Sequence, residues 1–377
     1  MSTSASMPPC GRVCVVAPMP PPYGGMSLQA DRLVSRLREE GISVDVITTN
    51  LTPPAMLSWV QSVPALRTLV REAQYLTLLI TKMAECDVVH HFSASGLYFF
   101  AHSAPPLVLG KLFRKRIILN YRGGKAADFL RDWGWCAVPL MRLATEICVP
   151  SEFLKEVFGK YGLSSNLLPN ISQTEMFPWK ERTRFAPALL VTRHLDPMYN
   201  TECLLRAFRI IQETYPQAIL SVAGDGSETI RLREMVSEWE LPGVRFLGPV
   251  AHRDLPALYA AHDIYINSSN VDNFPGALVE AACCGLPIVT TGAGGIPWMI
   301  RNRESGIVVS LNDEKALAAS VIEIIEHPEF AGGLAAKART WAEQFSWKNV
   351  LPKLLASYGS RVTSVKPPLP EAGVLIQ

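Results

Sequence analysis

The stretch Asp263 to Gly292, DIYINSSNVDNFPGALVEAACCGLPIVTTG, decides the fold. It opens on an apolar run, DIYINSS, and closes on another, PIVTTG, each short and bounded by polar or Gly text, as a buried strand is. Between them GALVEAACCG has the length and small-residue content of a helix with a Gly stop. The polar loop before that helix holds Asp272, and Glu280 sits inside the helix eight positions on, so strand, loop and helix bring two carboxylates to one neighbourhood. Pro275 is well placed near a first helical turn, where its missing N–H would have no intrahelical partner anyway.

Outward from this unit the pattern repeats. PALLVTR, AILSVAG and VRFLGPV read as strands, and NTECLLRAFRIIQETYP, ETIRLREMVSEWEL and LPALYAAH as helices. Upstream, RVCVVAP, SVDVITT, DVVHHFS, RIILNYRG and EICVPSE are strands, with SLQADRLVSRLREEG a helix that stops on Gly. Strand, helix, strand alternation is the signature of a doubly wound parallel sheet, and two successive series predict two Rossmann-like α/β domains. The expected division is residues 1–180 and 181–345, with the boundary near 178–186 in the polar, Pro-flanked PWKERTRFAP. A helix over 346–362 and a tail over 363–377 complete the chain.

Composition narrows the function. The 377 residues are 48% hydrophobic and 19% charged, enough to bury two cores, and disorder is expected only at the Pro- and Ser-biased ends. A net charge of +2 argues against a nucleic-acid binder. Lys and Arg exceed Asp and Glu by 17 to 13 over residues 1–175 and fall short by 19 to 21 beyond. This asymmetry is compatible with chance or with a basic surface facing anionic lipid. The eight cysteines make no CxxC pair and no Cys/His ligand spacing, which suits small buried residues in a reducing compartment. No signal peptide or spanning segment is expected, so the chain reads as cytoplasmic, with peripheral membrane contact as a variant of that reading.

In such sheets ligands bind beyond the carboxyl ends of strands, so the strand-to-helix loops carry the chemistry. The first is APMPPPYGGMSLQ, where Gly24 and Gly25 allow close approach to a helix N-terminus, a ready anion site. It lacks GxGxxG, which lowers a dinucleotide reading. Arg193 follows PALLVT, where a guanidinium can hold a diphosphate through two N–H groups; the alternative is a solvated charge. Arg122 follows RIILNY and precedes GGK. The loop from Asp272 through Asn273, Phe274 and Pro275 leads into Gly276 and Ala277, whose small size leaves room over the helix start. Glu280 lies about one turn further in and points back toward the same opening, although an acid near a helix start also serves simply to offset the dipole. His90 and His91 read as structural.

Taken together, these residues resemble the family 4 glycosyltransferases, two-domain enzymes of the GT-B fold. The resemblance runs from about residue 13 to residue 355 and is densest over VRFLGPVAHRDLPALYAAHDIYINSSNVDNFPGALVEAACCGLPIVTTGAGGIPWMIRNRESGIVVSLND. It implies two Rossmann-like domains with an interdomain cleft, and retaining transfer of a sugar from a nucleotide-diphosphate donor to a glycan or lipid-linked acceptor in polysaccharide or glycolipid synthesis. No metal or other cofactor is implied. By the same resemblance Gly24 and Gly25 lie over the donor diphosphate, Arg193 binds it, Glu280 holds the ribose hydroxyls, Asp272 to Gly276 contact the sugar, and Val250 lies beside the base. Several positions depart from the family pattern. Asp272 stands where a Glu is usual and Arg122 where a His is common. Tyr199 takes the place of a common Lys, no lysine occurring between Lys180 and Lys315, and Trp298 takes that of a Glu. A nucleotide-sugar 2-epimerase and a catalytically silent binding or scaffold protein remain as alternatives.

Overall fold

The computed structural model describes residues 11–22, 24–52 and 64–359, so the Pro- and Ser-biased ends lie outside the described residues. The chain divides into two compact units, one of residues up to Ile171 together with those from Leu351, the other Ser172–Val350.

The first unit holds, in order, β1 (Val13–Ala17), α1 (Gly25–Glu39), β2 (Val44–Thr48), α2 (Pro64–Glu85), β3 (Val88–Ser93), α3 (Ala104–Leu112), β4 (Arg116–Tyr121), α4 (Ala126–Met141), β5 (Glu146–Val149), α5 (Glu152–Gly159) and the short β6 (Asn166–Leu167). The strands form one parallel sheet in the order β2-β1-β3-β4-β5-β6. β1 and β3 are buried along their whole length, as strands covered on both faces must be, and this is why they read as unbroken apolar runs. α1 buries Ala30, Leu33, Val34 and Leu37, one helical stripe. It ends where Gly41, at φ 77°, turns the chain and the Ile42 N–H donates to the Leu37 carbonyl at 3.0 Å. The order in this sheet is the flavodoxin-like one, with its reversal between β1 and β3.

Two histidines lie in the middle of that sheet, fully buried and neutral. The His91 Nδ1–H donates to the Val16 carbonyl at 3.0 Å, and its Nε2 accepts from Ser103 Oγ at 2.7 Å. His90 Nε2 accepts from Asn120 Nδ2 at 2.9 Å, while its Nδ1–H donates to the Tyr358 hydroxyl at 3.0 Å. Burial pushes both imidazoles down to about 3, helped at His90 by the nearby Arg122 charge. Both are satisfied core groups.

The second unit begins at Ser172 where the sequence suggests 181, because residues 172–180 pack into it: Phe177 is buried in its core and the Lys180 ammonium donates to the Ala260 carbonyl at 2.8 Å. Arg182, polar in the text, donates to Asp263 at 3.0 Å and to the carbonyls of Lys180, Cys284, Tyr259 and His262, so the segment read as a linker is part of this unit's interior. Phe177 packs in the same core, edge-on to Tyr259, and the Ser172 N–H donates to the Phe345 carbonyl.

The elements of this unit are β7 (Ala188–Thr192), α6 (Thr201–Thr214), β8 (Ile219–Ala223), α7 (Thr229–Glu238), β9 (Val244–Gly248), α8 (Leu255–Ala260), β10 (Ile264–Asn267), α9 (Gly276–Cys283), β11 (Ile288–Thr291), α10 (Ile296–Met299), β12 (Ile307–Val309), α11 (Glu314–Glu326) and α12 (Pro328–Glu343). The sheet order β12-β11-β10-β7-β8-β9 is the Rossmann order, reversing between β7 and β10. Alternate residues feed two cores: Leu189, Val191, Ile264 and Ile266 face one way, Leu190 and Tyr265 the other. The last helix, α13 (Trp347–Tyr358), starts in the second unit, and its residues from Leu351 belong to the first, where Ser357 and Tyr358 reach Glu146 and His90.

In the second unit two glycine contacts shape the loops beyond β7 and β10. A Cβ on Gly224 would lie 2.0 Å from the Arg193 carbonyl oxygen, and one on Gly294, which sits at φ 51°, would lie 2.1 Å from that of Asp272. The GAGG turn therefore presses directly on the Asp272 backbone, and the Gly295 N–H donates to the same Asp272 oxygen at 2.9 Å.

Gly294→Ala is expected to destabilise the protein by at least about 2 kcal/mol, because a positive φ and a backbone clash act together. Urea denaturation would show this as a lower midpoint with an unchanged slope, and Gly276→Ala, whose Cβ would have nothing within 4 Å, serves as the mild control.

The histidines generate a pH dependence. A native imidazole held near 3, against the ordinary 6.5, lets the unfolded chain bind more protons between those values, so the stability it confers is complete above 6.5 and lost as pH falls toward 3. Replacing His90 by Asn removes that term. The stability gap between native protein and His90→Asn is expected to shrink, on the order of 2 kcal/mol, between pH 7.5 and pH 4.5 in urea titrations.

Candidate functional site

The site forms where the order of the second sheet reverses. β7 and β10 pair in parallel, Leu189 opposite Ile264 and Leu190 opposite Tyr265, so the loops that leave their carboxyl ends lie side by side. One loop carries Arg193 and the other Asp272, 79 positions apart in the chain.

Arg193 Nη2 donates to Asp272 Oδ2, and the two side chains are only 15% and 10% exposed. The guanidinium carbon lies 4.4 Å from the centre of the Tyr199 ring, a cation over an aromatic face, while the buried Nε has no hydrogen-bond partner. Desolvation pushes the Asp272 carboxyl above its usual range, against the pull of Arg193 and of the Phe274 and Asn273 N–H groups that bond to it. The resemblance sets Arg193 at the diphosphate and Asp272 at the sugar, and the structure joins the two side chains in one ion pair.

Glu280, 17% exposed, projects from α9 and is gripped from below. The Tyr259 hydroxyl donates to its Oε2 at 2.9 Å and accepts from Thr192 Oγ1 at 2.7 Å. Burial and the neighbouring Glu280 charge push the Tyr259 phenol well above its ordinary value, so it stays a donor throughout the neutral range. His252 Nε2 stands 3.6 Å from the other carboxylate oxygen, Oε1. Thr192 precedes Arg193 directly, so one short path, Glu280 to Tyr259 to Thr192 to Arg193 to Asp272, connects both acids.

The helix start before Glu280 is open. Pro275 caps α9 with no side-chain hydrogen bond, and a Cβ at Gly276 would meet nothing within 4 Å. Ala277 is buried and Val250 half-buried at the end of the loop after β9. Phe274 turns onto Phe345, with ring centres 5.0 Å apart, which pins the loop from its apolar side.

In the first unit Gly24 is the N-cap of α1, and its N–H donates to Ser27 Oγ at 2.9 Å. Neither Gly24 nor Gly25 has a positive φ, and neither would meet an atom closer than 3.9 Å if it carried a Cβ, so nothing in the described fold demands glycine there. Arg122 follows β4 and is half-buried. Its Nε donates to Asn120 Oδ1 at 3.1 Å, its guanidinium carbon lies 5.1 Å from the Phe92 ring centre, and Nη1 is buried without a partner. Burial brings it down to about 10, which leaves it charged at neutral pH. A Cβ on the following Gly123 would come within 2.5 Å of Ser95 Oγ, so that turn has to be glycine.

Sequence reasoning missed Tyr259, Thr192 and His252 around Glu280. The signal was weak: LPALYAAH reads as an amphipathic helix, and nothing local shows that its tyrosine reaches 21 residues ahead. Arg253 is largely exposed and pairs with Asp254 at 3.8 Å. Among the described residues no group of three His, Cys, Asp or Glu side chains is arranged to hold a metal ion, and no helix is long and apolar enough to cross a membrane.

Against known proteins, the chain is 28% identical over 207 residues to the O-antigen chain mannosyltransferase B of Escherichia coli, an alignment covering 54% of each. It is 23% identical over 284 residues to the GDP-mannose-dependent alpha-(1-6)-phosphatidylinositol monomannoside mannosyltransferase of Mycolicibacterium smegmatis, covering 66% of this chain and 72% of that protein. The chain thus spans about half the length of the first of these relatives. Its fold matches that of Anabaena Alr3699/HepE in complex with UDP at a TM-score of 0.70 and 19% identity, over 91% of this chain and 98% of that one, and is of the GT-B class. Residues 176–341, which contain Arg193, Tyr199, Asp272 and Glu280, match the family of glycosyl transferases group 1.

Proposed function

We propose that this protein is a retaining glycosyltransferase of family 4 that moves a sugar from a nucleotide-diphosphate donor to a glycan or lipid-linked acceptor in polysaccharide or glycolipid synthesis, in the cytoplasm or at a membrane surface. The observation that carries the reading is the convergence of Arg193, Asp272 and Glu280 on the reversal point of a Rossmann-ordered sheet, beside the open start of α9. The names of the two relatives, both mannosyltransferases, support it, as does the UDP bound by the structural relative.

In this reading the donor diphosphate meets Arg193 and the first turn of α9, two groups that favour negative charge without a metal. Glu280, oriented by Tyr259, accepts the ribose hydroxyls, with Val250 beside the base. Asp272 and the Asn273 to Ala277 backbone face the sugar. The acceptor hydroxyl enters on the face from which the diphosphate departs, and the cationic guanidinium and helix start offset the charge that builds on the leaving group. Positioning supplies much of the remaining acceleration. Gly24, Gly25 and Arg122 are the substrate contacts proposed for the first unit, Arg122 for an acceptor or a phosphate. A hydrolase with paired carboxylates fits poorly, because Asp272 is held by a cation and Glu280 by a phenol and an imidazole instead of both flanking an open bond.

A thermal-shift screen of UDP, GDP and ADP in EDTA tests the reading. A ligand at 100 times its dissociation constant adds roughly 2.7 kcal/mol, a shift of several degrees. At least one diphosphate is expected to protect, and protection that vanishes with EDTA would overturn the metal-free site.

Glu280→Ala removes charged hydrogen bonds worth about 1.5 to 3 kcal/mol, so kcat/KM for the donor is expected to fall roughly 10- to 150-fold in a folded variant. Steady-state transfer kinetics would show it, and unchanged kinetics would remove Glu280 from the site.

A further inference from the structure

We infer that Tyr199 is a positioning residue of this site, holding the Arg193 guanidinium by its ring face so that the arginine acts as the diphosphate clamp. The inference rests on the nucleotide-sugar reading above and adds to it a residue whose chemistry is not itself charged.

The argument begins with what the second unit lacks. Between Lys180 and Lys315 it has no lysine, and Lys180 itself spends its ammonium on the Ala260 carbonyl at 2.8 Å. Arg182 is consumed in the core by Asp263 and four carbonyls. The cation that reaches the reversal point is Arg193, and a long flexible arginine at a strand end has many rotamers to lose when it binds. Something has to hold it in place beforehand.

Two groups do so. Asp272 takes one edge of the guanidinium through Nη2, and the Tyr199 ring lies under its plane at 4.4 Å. Nε is buried and has no partner. The ring is itself fixed. It ends the turn Pro197–Tyr199, and this segment is tied to the loop after β10 by three donors: the Ser268 hydroxyl, which shares its one proton between the Tyr199 and Asn200 carbonyls at 3.1 and 2.9 Å, and the Asn270 and Val271 N–H groups, which donate to the Met198 carbonyl at 2.9 and 3.3 Å. Asn312 Oδ1 accepts from both Asn200 and Asn270, closing the joint. The turn that carries the ring and the loop that carries Asp272 are therefore one rigid piece, and Arg193 is seated between its two ends. Asp196, at the head of the turn, is fastened separately by Ser227.

A ring in this position orients the cation without neutralising it. An acid there would compete with the diphosphate, and a second base would repel Arg193 from its seat. The aromatic face attracts the guanidinium without adding a second countercharge to that of Asp272.

The test is calorimetric binding of UDP, GDP and ADP, and of uridine, guanosine and adenosine, to the full chain and to Tyr199→Phe, Tyr199→Leu and Tyr199→Gln. For the diphosphate that the native protein binds, Tyr199→Phe should stay within about twofold, because the ring face is kept. Tyr199→Leu and Tyr199→Gln should each weaken it roughly 2- to 30-fold while affinity for the matching nucleoside is unchanged. The two replacements differ in polarity, so a failure of one to fold leaves the other to decide. Undiminished diphosphate affinity in the folded replacement overturns the inference, as does an equal loss for diphosphate and nucleoside, which marks a general lesion of the turn. Native protein that binds none of the diphosphates overturns the functional reading, and the inference falls with it.

Discussion

The pairing of β7 with β10 is the constraint from which the second unit's chemistry follows. Two strands that are not consecutive in sequence lie side by side, and the loops leaving their ends turn to opposite sides of the sheet's reversal point. Arg193 and Asp272 meet there because the ladder sets Leu189 against Ile264 and Leu190 against Tyr265, and for no reason of local sequence. Once they meet, the rest is forced. The ion pair is nearly dry, so desolvation raises the carboxyl. The GAGG turn comes close enough to support that loop, which only glycine allows.

The fold was largely legible, because parallel sheets covered on both faces announce themselves as short apolar runs. β1, β3, β7, β10 and β11 are such runs, and the helices between them carry periodic stripes. The weak strands were not legible: β6 is two residues long and β12 three, too short for any period to show. Strand order was not legible either, since periodicity says which residues are buried and is silent about which strand lies beside which. Both units read as Rossmann-like, yet the first sheet has the flavodoxin-like order and the second the Rossmann order. The start of the second unit at Ser172 was not legible, because it is set by the packing of Phe177 into that unit's core and not by any local signal. Arg182 in PWKERTRFAP looks like linker charge, and only the three-dimensional structure reveals five acceptors waiting for it.

For the site, residue types at strand ends were informative and partnerships were not. Arg193, Asp272 and Glu280 could be named from their places in strand-to-helix loops. That Asp272 binds Arg193, and that Glu280 rests on Tyr259, depends on contacts spanning 79 and 21 positions. Tyr199 was noticed as a missing lysine, which framed it as a loss. Its ring lies against the Arg193 guanidinium, and in the proposed reading it holds that cation in place where a second cation is missing.

The two units treat a half-buried arginine in opposite ways, and the contrast has a physical consequence. Arg193 has a carboxylate on one edge, so the pair is close to neutral, and an incoming anion must displace or share an existing partner. Arg122 rests on the Phe92 ring and the Asn120 side-chain amide oxygen, with Nη1 buried and, among the described residues, no carboxylate bonded to it. Burial lowers its affinity for the proton, yet at about 10 it remains charged at pH 7, and the histidine linked to it through Asn120 is kept neutral partly by that charge. An uncompensated cation in a desolvated setting raises the energy of the empty state, which a bound anion relieves. In the proposed reading such a group favours ligand binding by making its absence costly, whereas the Arg193 seat favours it by making the bound geometry ready in advance.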